Sequence, residues 1–219
     1  MPSKPHLMIF AVLLTLPLSA QVDVSALARS VDERYNRLQS LSAEFTEIYR
    51  GQGMARTESG TMWLKRPGRM RWEYRTPREK LFVTDGKTAY FYLPDERQVR
   101  RAPVKKLDDL RSPLRYLLGK SKLLKEFPDL APSPDLKPLE PANTVLRGAP
   151  EHLADRVQQV WLEIAPDSRI TRIVIEEVDG STTEFRFRYL TENQLRDDAQ
   201  FRFTPPAGTE VIETEAFEP

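Results

Sequence analysis

The sequence predicts a mainly β chain of α+β type: one large, curved antiparallel sheet of roughly ten strands, with helices over one face. Three observations lead there. Apolar and polar residues alternate with period two in segment after segment. The connections between these segments are short and carry tight-turn residues, as at Asp85-Gly86 and Asp179-Gly180. Apolar residues at helical spacing occur only at the front and in the middle, so the helix-sized crossovers that parallel pairing needs are missing.

The elements follow in order. Lys4, the apolar run Leu7–Leu18 and then Ser19-Ala20-Gln21 have the layout of a secretory leader, with cleavage expected after Ala20 and one domain over residues 21–219. The run is too short for a bilayer core, which needs about 20 residues. Val24, Leu27, Ala28, Val31, Tyr35 and Leu38 then mark an amphipathic helix, with Asp23 as its N-cap. Leu41, Ala43 and Phe45 begin a strand, Gly51-Gln52-Gly53 turns the chain, and Met62 and Leu64 alternate with Thr61, Trp63 and Lys65. After the turn at Pro67-Gly68, Met70, Trp72 and Tyr74 alternate with Arg69, Arg71, Glu73 and Arg75. The arginines of this hairpin thus fall on the face opposite the aromatics.

Residues 80–93 form a hairpin about Asp85-Gly86. Ser112 as N-cap, Pro113 at the first helical position and Gly119 beyond the end predict a short helix over Pro113–Leu118. A second helix is expected over Lys122–Phe127, followed by a proline-rich loop to Pro141. Strands are expected over Thr144–Arg147, Val157–Ile164, Ile170–Val178, Thr182–Leu190 and Gln200–Phe203.

Composition narrows the function. The chain has 33 basic and 32 acidic residues, and losing Lys4 with the leader brings the two to equality. A nucleic-acid binder normally needs a basic excess for phosphate contacts, so the arginines of residues 63–77 do not mark one. Cysteine is absent, which removes disulfide scaffolds, thiol nucleophiles and lipid-modified N-terminal cysteine. Beyond the leader His152 is the single histidine, in a polar stretch, so no zinc set or histidine-based nucleophile system can be assembled and no metal or cofactor is expected. Phosphate-loop and dinucleotide glycine motifs are also absent. The acid pairs, such as Glu176-Glu177, are sequence neighbours, and on a strand neighbours point to opposite faces. No enzymatic activity is expected.

The pieces together resemble a family. AEFTE (43–47), ESGTMWLKRPGRMRWEY (58–74), VTDGKTAYFYLPD (83–95) with Gln98-Val99, SPLRYLLG (112–119) and FRFTPPAG (201–208) are similar, in order and spacing, to the LolA family of periplasmic outer-membrane lipoprotein carriers. The resemblance implies an unclosed antiparallel half-barrel of about 10–11 strands with a helical lid over an apolar cavity. It implies a monomeric carrier of acylated lipoprotein, loaded by an inner-membrane ABC-type extractor and unloaded to an outer-membrane acceptor lipoprotein. In the family the arginine of the Lys-Arg-Pro turn, here Arg66, bonds to lid carbonyls and latches the empty cavity. Guanidinium suits that role, having five donors in a fixed fork. Met62, Leu64, Met70, Trp72 and Tyr74 share one face and are the candidate acyl-contacting residues, though each also suits a plain core. Met70 stands where the family often has phenylalanine. Three features depart from the family pattern: the proline-rich loop, which reads as an addition beside the lid, the arginine density at Arg69, Arg71 and Arg75, and a short acidic tail. Related carriers of other lipids or glycolipids, and a periplasmic lipid-sensing regulator, share the fold.

Overall fold

The computed structural model describes residues 22–104, 117, 122–194 and 197–214. The leader and most of the predicted 113–118 helix lie outside these residues; Leu117 is helical and buried. The elements are α1 (Val24–Arg37), β1 (Ser40–Gly51), β2 (Met54–Lys65), β3 (Arg69–Thr76), β4 (Lys80–Asp85), β5 (Thr88–Leu93), β6 (Gln98–Pro103), α2 (Leu123–Glu126), β7 (Ala131–Pro132), β8 (Thr144–Gly148), β9 (Val157–Ile164), β10 (Ile170–Glu177), β11 (Thr182–Glu192) and β12 (Glu210–Glu213).

All twelve strands form one sheet in the order β12-β6-β5-β4-β3-β2-β1-β11-β10-β9-β8-β7. β1 is the hub: the chain winds outward from it through β2 to β6, and the second half returns to its other side as β11. The edge strands β12 and β7 do not pair with each other, so the sheet stays open, as the half-barrel expectation requires. The turns follow the predicted chemistry. Asp85 Oδ1 accepts from the amides of Lys87 and Thr88 at 2.8 Å, and Gly86 sits at φ +94°. Asp179 Oδ1 likewise accepts from Ser181 N at 2.9 Å.

α1 is capped as expected, with Asp23 Oδ1 accepting from Ala26 N at 2.9 Å, and Arg34 and Arg37 lie in its last turn, where cations oppose the helix dipole. Ala28, Val31 and Tyr35 pack on one face of the sheet, the helix face. Register sets what they meet. Leu41, Leu64 and Met70 stand in one cross-strand row; Ala43, Met62, Trp72, Phe82 and Phe91 in the next; Phe45, Gly60 and Tyr74 in a third. Gly60 contributes no side chain to its row, and the rings of Phe45 and Tyr74 close over it at 4.9 Å. A Cβ at Gly60 would lie 1.8 Å from the Glu73 carbonyl oxygen, so β2 and β3 approach too closely there for any other residue.

Two segments strap the opposite, outer face. The 3-10 turn Asp198–Phe201 lies where a strand over Gln200–Phe203 is predicted. It forms because Asp198 is held by Lys65 at 2.6 Å and Arg69 at 3.3 Å, and because the Gln200 carbonyl accepts from Arg71 at 3.1 Å. Phe203 then packs on Tyr90 and Tyr92. The arginine density of the β3 hairpin is therefore largely the docking surface for this strap. The Lys65 hydrogen bond, reinforced by Arg69, holds the Asp198 carboxyl below the usual carboxylate range.

The proline-rich loop is the second strap, which corrects its expected place beside the lid. Phe127 and Leu130 do pack into the helix-face core, but the chain then turns over the β7 edge. Leu139 N, Glu140 N and Asn143 Nδ2 all donate to Glu163 on the outer face, and Lys137 O accepts from Arg172. Glu163, Arg172 and Glu184 form a buried ion network beneath the loop. Burial pushes the Glu184 carboxyl up, but Arg186 and Arg172 outweigh it and leave it below the usual range. A further correction concerns the acidic tail: Glu210–Glu213 forms β12, parallel to β6, with Arg101 bonded to Glu213. The sheet is thus not wholly antiparallel.

Candidate functional site

The helix face holds the main apolar interior. Met62, Leu64 and Trp72 are at most 3% exposed and belong to one cluster with α1, Leu117, Leu123 and Phe127. Met70 and Tyr74 are half-buried and pack against the same cluster. The five predicted acyl-contacting residues are thus brought together on three adjacent rows. At the edge bordered by Leu38, Leu41, Leu64, Arg66 and Leu117 the void measures only about 10 Å³.

Arg66 closes that edge. Its Nη1 donates to the Asn36 carbonyl at 2.9 Å and its Nη2 to the Tyr35 carbonyl at 2.8 Å, both in the last turn of α1. Carbonyls of a last helical turn lack the usual i→i+4 donor, and Tyr35 O otherwise accepts only a 3.3 Å bond from Leu38 N, so a forked cation serves two at once. The Arg66 amide separately donates to Gln39 O at 2.9 Å, which fixes the turn without the side chain.

Tyr35 is a member of this arrangement that sequence reasoning placed only as a core residue. Its hydroxyl accepts from Ile170 N at 2.9 Å, and burial pushes its pKa well above the usual phenol range. In the same last turn Arg34 bonds to Glu192 at 2.7 Å, and further along the helix Asp32 accepts from Leu123 N and so ties α1 to α2. These tethers are polar, while the contact face of α1 is apolar. Phe45 and Phe185 were also missed as neighbours of Trp72; their rings lie 4.6 and 6.1 Å from it.

The apolar interior ends in a polar floor. Glu47 and Glu58 face each other across β1 and β2, both buried. Tyr74 donates to Glu47 at 2.9 Å, while Lys80 and Arg56 pair with Glu58. Desolvation, with Glu58 adding repulsion, raises the Glu47 pKa against the Tyr74 hydrogen bond and the Arg56 and Lys80 charges. Beyond the floor lies a recess of about 300 Å³, lined in part by Arg56, Lys80, Phe91 and Arg100. Among the described residues no cluster of three or more metal-ligating side chains occurs, and no helix is long and apolar enough to cross a membrane. His152 is exposed in a 3-10 turn.

The comparisons agree with this geometry. The family model for the outer membrane lipoprotein carrier protein LolA matches residues 36–204. An outer-membrane lipoprotein carrier protein of Bordetella avium is 31% identical over 180 residues, covering 80% of this chain and 82% of its own. One from Chromohalobacter salexigens is 30% identical over 204 residues, covering 91% and 92%. An uncharacterized conserved protein from Thermus thermophilus shares the fold, with a TM-score of 0.54 at 15% identity over 86% of this chain and 98% of its own. A matched span from the end of α1 to the outer-face strap, with two relatives aligned over most of their length, makes this chain a member of the LolA family of outer membrane lipoprotein carrier proteins.

Proposed function

We propose that this protein is a periplasmic carrier that shields the acyl chains of lipoproteins and moves them from the inner to the outer membrane, as a monomer and without catalysis. Residues 1–20 direct export and are removed. Cargo comes from an ABC-type extractor in the inner membrane and leaves to an acceptor lipoprotein at the outer membrane. Met62, Leu64, Met70, Trp72 and Tyr74 line the acyl site once α1 has swung away, and Arg66 is the latch that returns it. The observation that carries the reading is a continuous apolar face covered by the amphipathic α1, whose last-turn carbonyls Arg66 engages from the β2–β3 turn. Each buried methylene contributes about 0.8 kcal/mol, so such a face can hold a long acyl chain without covalent chemistry.

The test mixes delipidated protein with inner-membrane vesicles carrying labelled lipoprotein, the extractor and ATP, and counts label in the soluble fraction. Protein-bound soluble label is expected for the wild type. Arg66→Leu should load but fail to pass its cargo to outer-membrane acceptor vesicles. No release, with an extractor proven active on another carrier, would refute lipoprotein transfer for that pairing.

A further inference from the structure

The Trp72 indole nitrogen is fully enclosed and has no hydrogen-bond acceptor. Three other enclosed polar atoms among the described residues lack a hydrogen bond: Glu163 Oε2, Arg169 Nε and Arg172 Nε. Each of those belongs to an ion pair, Arg169 with Asp167 at 2.6 Å, Arg172 with Glu184 at 2.7 Å, and Glu163 with Arg172 at 3.7 Å. Trp72 has no such compensation. Its cross-strand neighbours are Met62 and Phe82 and its ring neighbours are Phe45 and Phe185, none of which offers an oxygen. Tyr74, the other polar-tipped ring on the face, already gives its hydroxyl proton to Glu47. Buried indole N–H groups ordinarily find a partner, so this donor calls for one that arrives from outside.

We propose that the partner is the carbonyl oxygen of the ester or amide that joins a long acyl chain to its cargo, an inference that rests on the acyl-carrier reading above. That carbonyl is the polar atom nearest the hydrocarbon and must enter the apolar interior with it. Meeting the Trp72 donor removes two unsatisfied groups in one contact. It also fixes how deep the chain inserts, since sliding by one or two methylenes breaks the bond. Plain hydrocarbon fills the same space and leaves the indole N–H unpaired. Trp72 is therefore a specificity residue that separates acyl groups from other apolar matter.

The experiment uses protein labelled with 15N at its three tryptophans and two probes of matched length, methyl palmitate and octadecane, delivered from cyclodextrin. The Trp72 indole signal is assigned by its loss in Trp72→Phe. Methyl palmitate should move that proton downfield, octadecane should not, and Trp72→Phe should lose about fivefold in affinity for the ester alone. If both probes bind and shift the Trp72 signal alike, or if Trp72→Phe weakens both equally, the contact is with ring volume only and the proposal is overturned. If neither probe binds, the acyl-carrier reading fails and takes the proposal with it.

Discussion

Arg66→Leu gives the sharpest test of how α1 is held. The side chain contributes two charge-assisted hydrogen bonds, at 2.9 and 2.8 Å, to the last-turn carbonyls of α1. Each such bond is worth about 1.5 kcal/mol when enclosed. Arg66 is only half-buried, which discounts the pair to about 2 kcal/mol, or roughly a 30-fold shift toward the open form. The turn itself should stay docked, because the Arg66 backbone amide keeps its bond to Gln39 O. Hydrogen exchange measured by NMR should therefore speed up about 30-fold at the buried α1 amides of Ala28 and Val31. Amides of β1 and β2 should change no more than global stability does. Because the closed form competes with ligand, affinity for a fluorescent acyl probe should rise by up to the same factor. Unchanged exchange in α1 together with unchanged affinity would refute the latch.

Three further outcomes follow from the geometry. Gly60→Ala places a methyl carbon 1.8 Å from a backbone oxygen, so it should lower stability by at least about 3 kcal/mol in urea unfolding and raise proteolysis at the β2–β3 pair. Glu163→Ala removes the acceptor of three loop donors and strips Arg172 of one partner; a loss of about 3 kcal/mol and selective cleavage within 133–143 are expected, with α1 exchange unaffected. Glu47 is buried with a raised pKa, so the fold favours its protonated form and loses that advantage as pH rises above its ordinary value of 4.5 through the folded value. Glu47→Gln should accordingly be more stable than the wild type at pH 7 and equal to it below pH 4.5, as read by thermal unfolding across pH.

Local order was legible and distant order was not. Strand parity alone placed Met62, Leu64, Met70, Trp72 and Tyr74 on one face, because alternation survives any correct hairpin. The Asp-Gly pairs located the turns for the same local reason. β12 was invisible: its partner β6 lies over a hundred residues earlier, and an acidic stretch such as Glu210–Glu213 carries no sign of parallel pairing. The strap at Asp198–Phe201 misled because FRFTP alternates like a strand, while salt bridges to Lys65 and Arg69 decided its path. Nothing in the alternation of β9, β10 and β11 marks Glu163, Arg172 and Glu184 as buried, since the loop that covers them is distant in sequence or irregular. Arg66 could be singled out only through the family resemblance, and nothing in the sequence shows which carbonyls it meets. The orphaned Trp72 donor is a property of packing and leaves no trace in the pattern at all.

The two faces of the sheet divide the work of a carrier between rigidity and release. Ion networks and aromatic straps tie down the outer face, which on the proposed reading lets the sheet keep its shape when α1 leaves. On the helix face the apolar side chains pack into one cluster beneath α1, and a ligand that reaches them competes with those protein contacts. A long acyl chain brings on the order of 10 kcal/mol of hydrophobic free energy, several times the roughly 2 kcal/mol that Arg66 contributes. The latch therefore cannot keep cargo out. If Arg66 is the latch proposed above, it subtracts a fixed amount from binding, since a loaded molecule forgoes the Arg66 bonds, and returns that amount when cargo leaves. An acceptor needs an affinity advantage smaller by this amount to take the chain, which is the property a carrier needs and a storage protein does not. Strengthening the latch should speed hand-off at the expense of loading, and a variant that gained in both would contradict this balance.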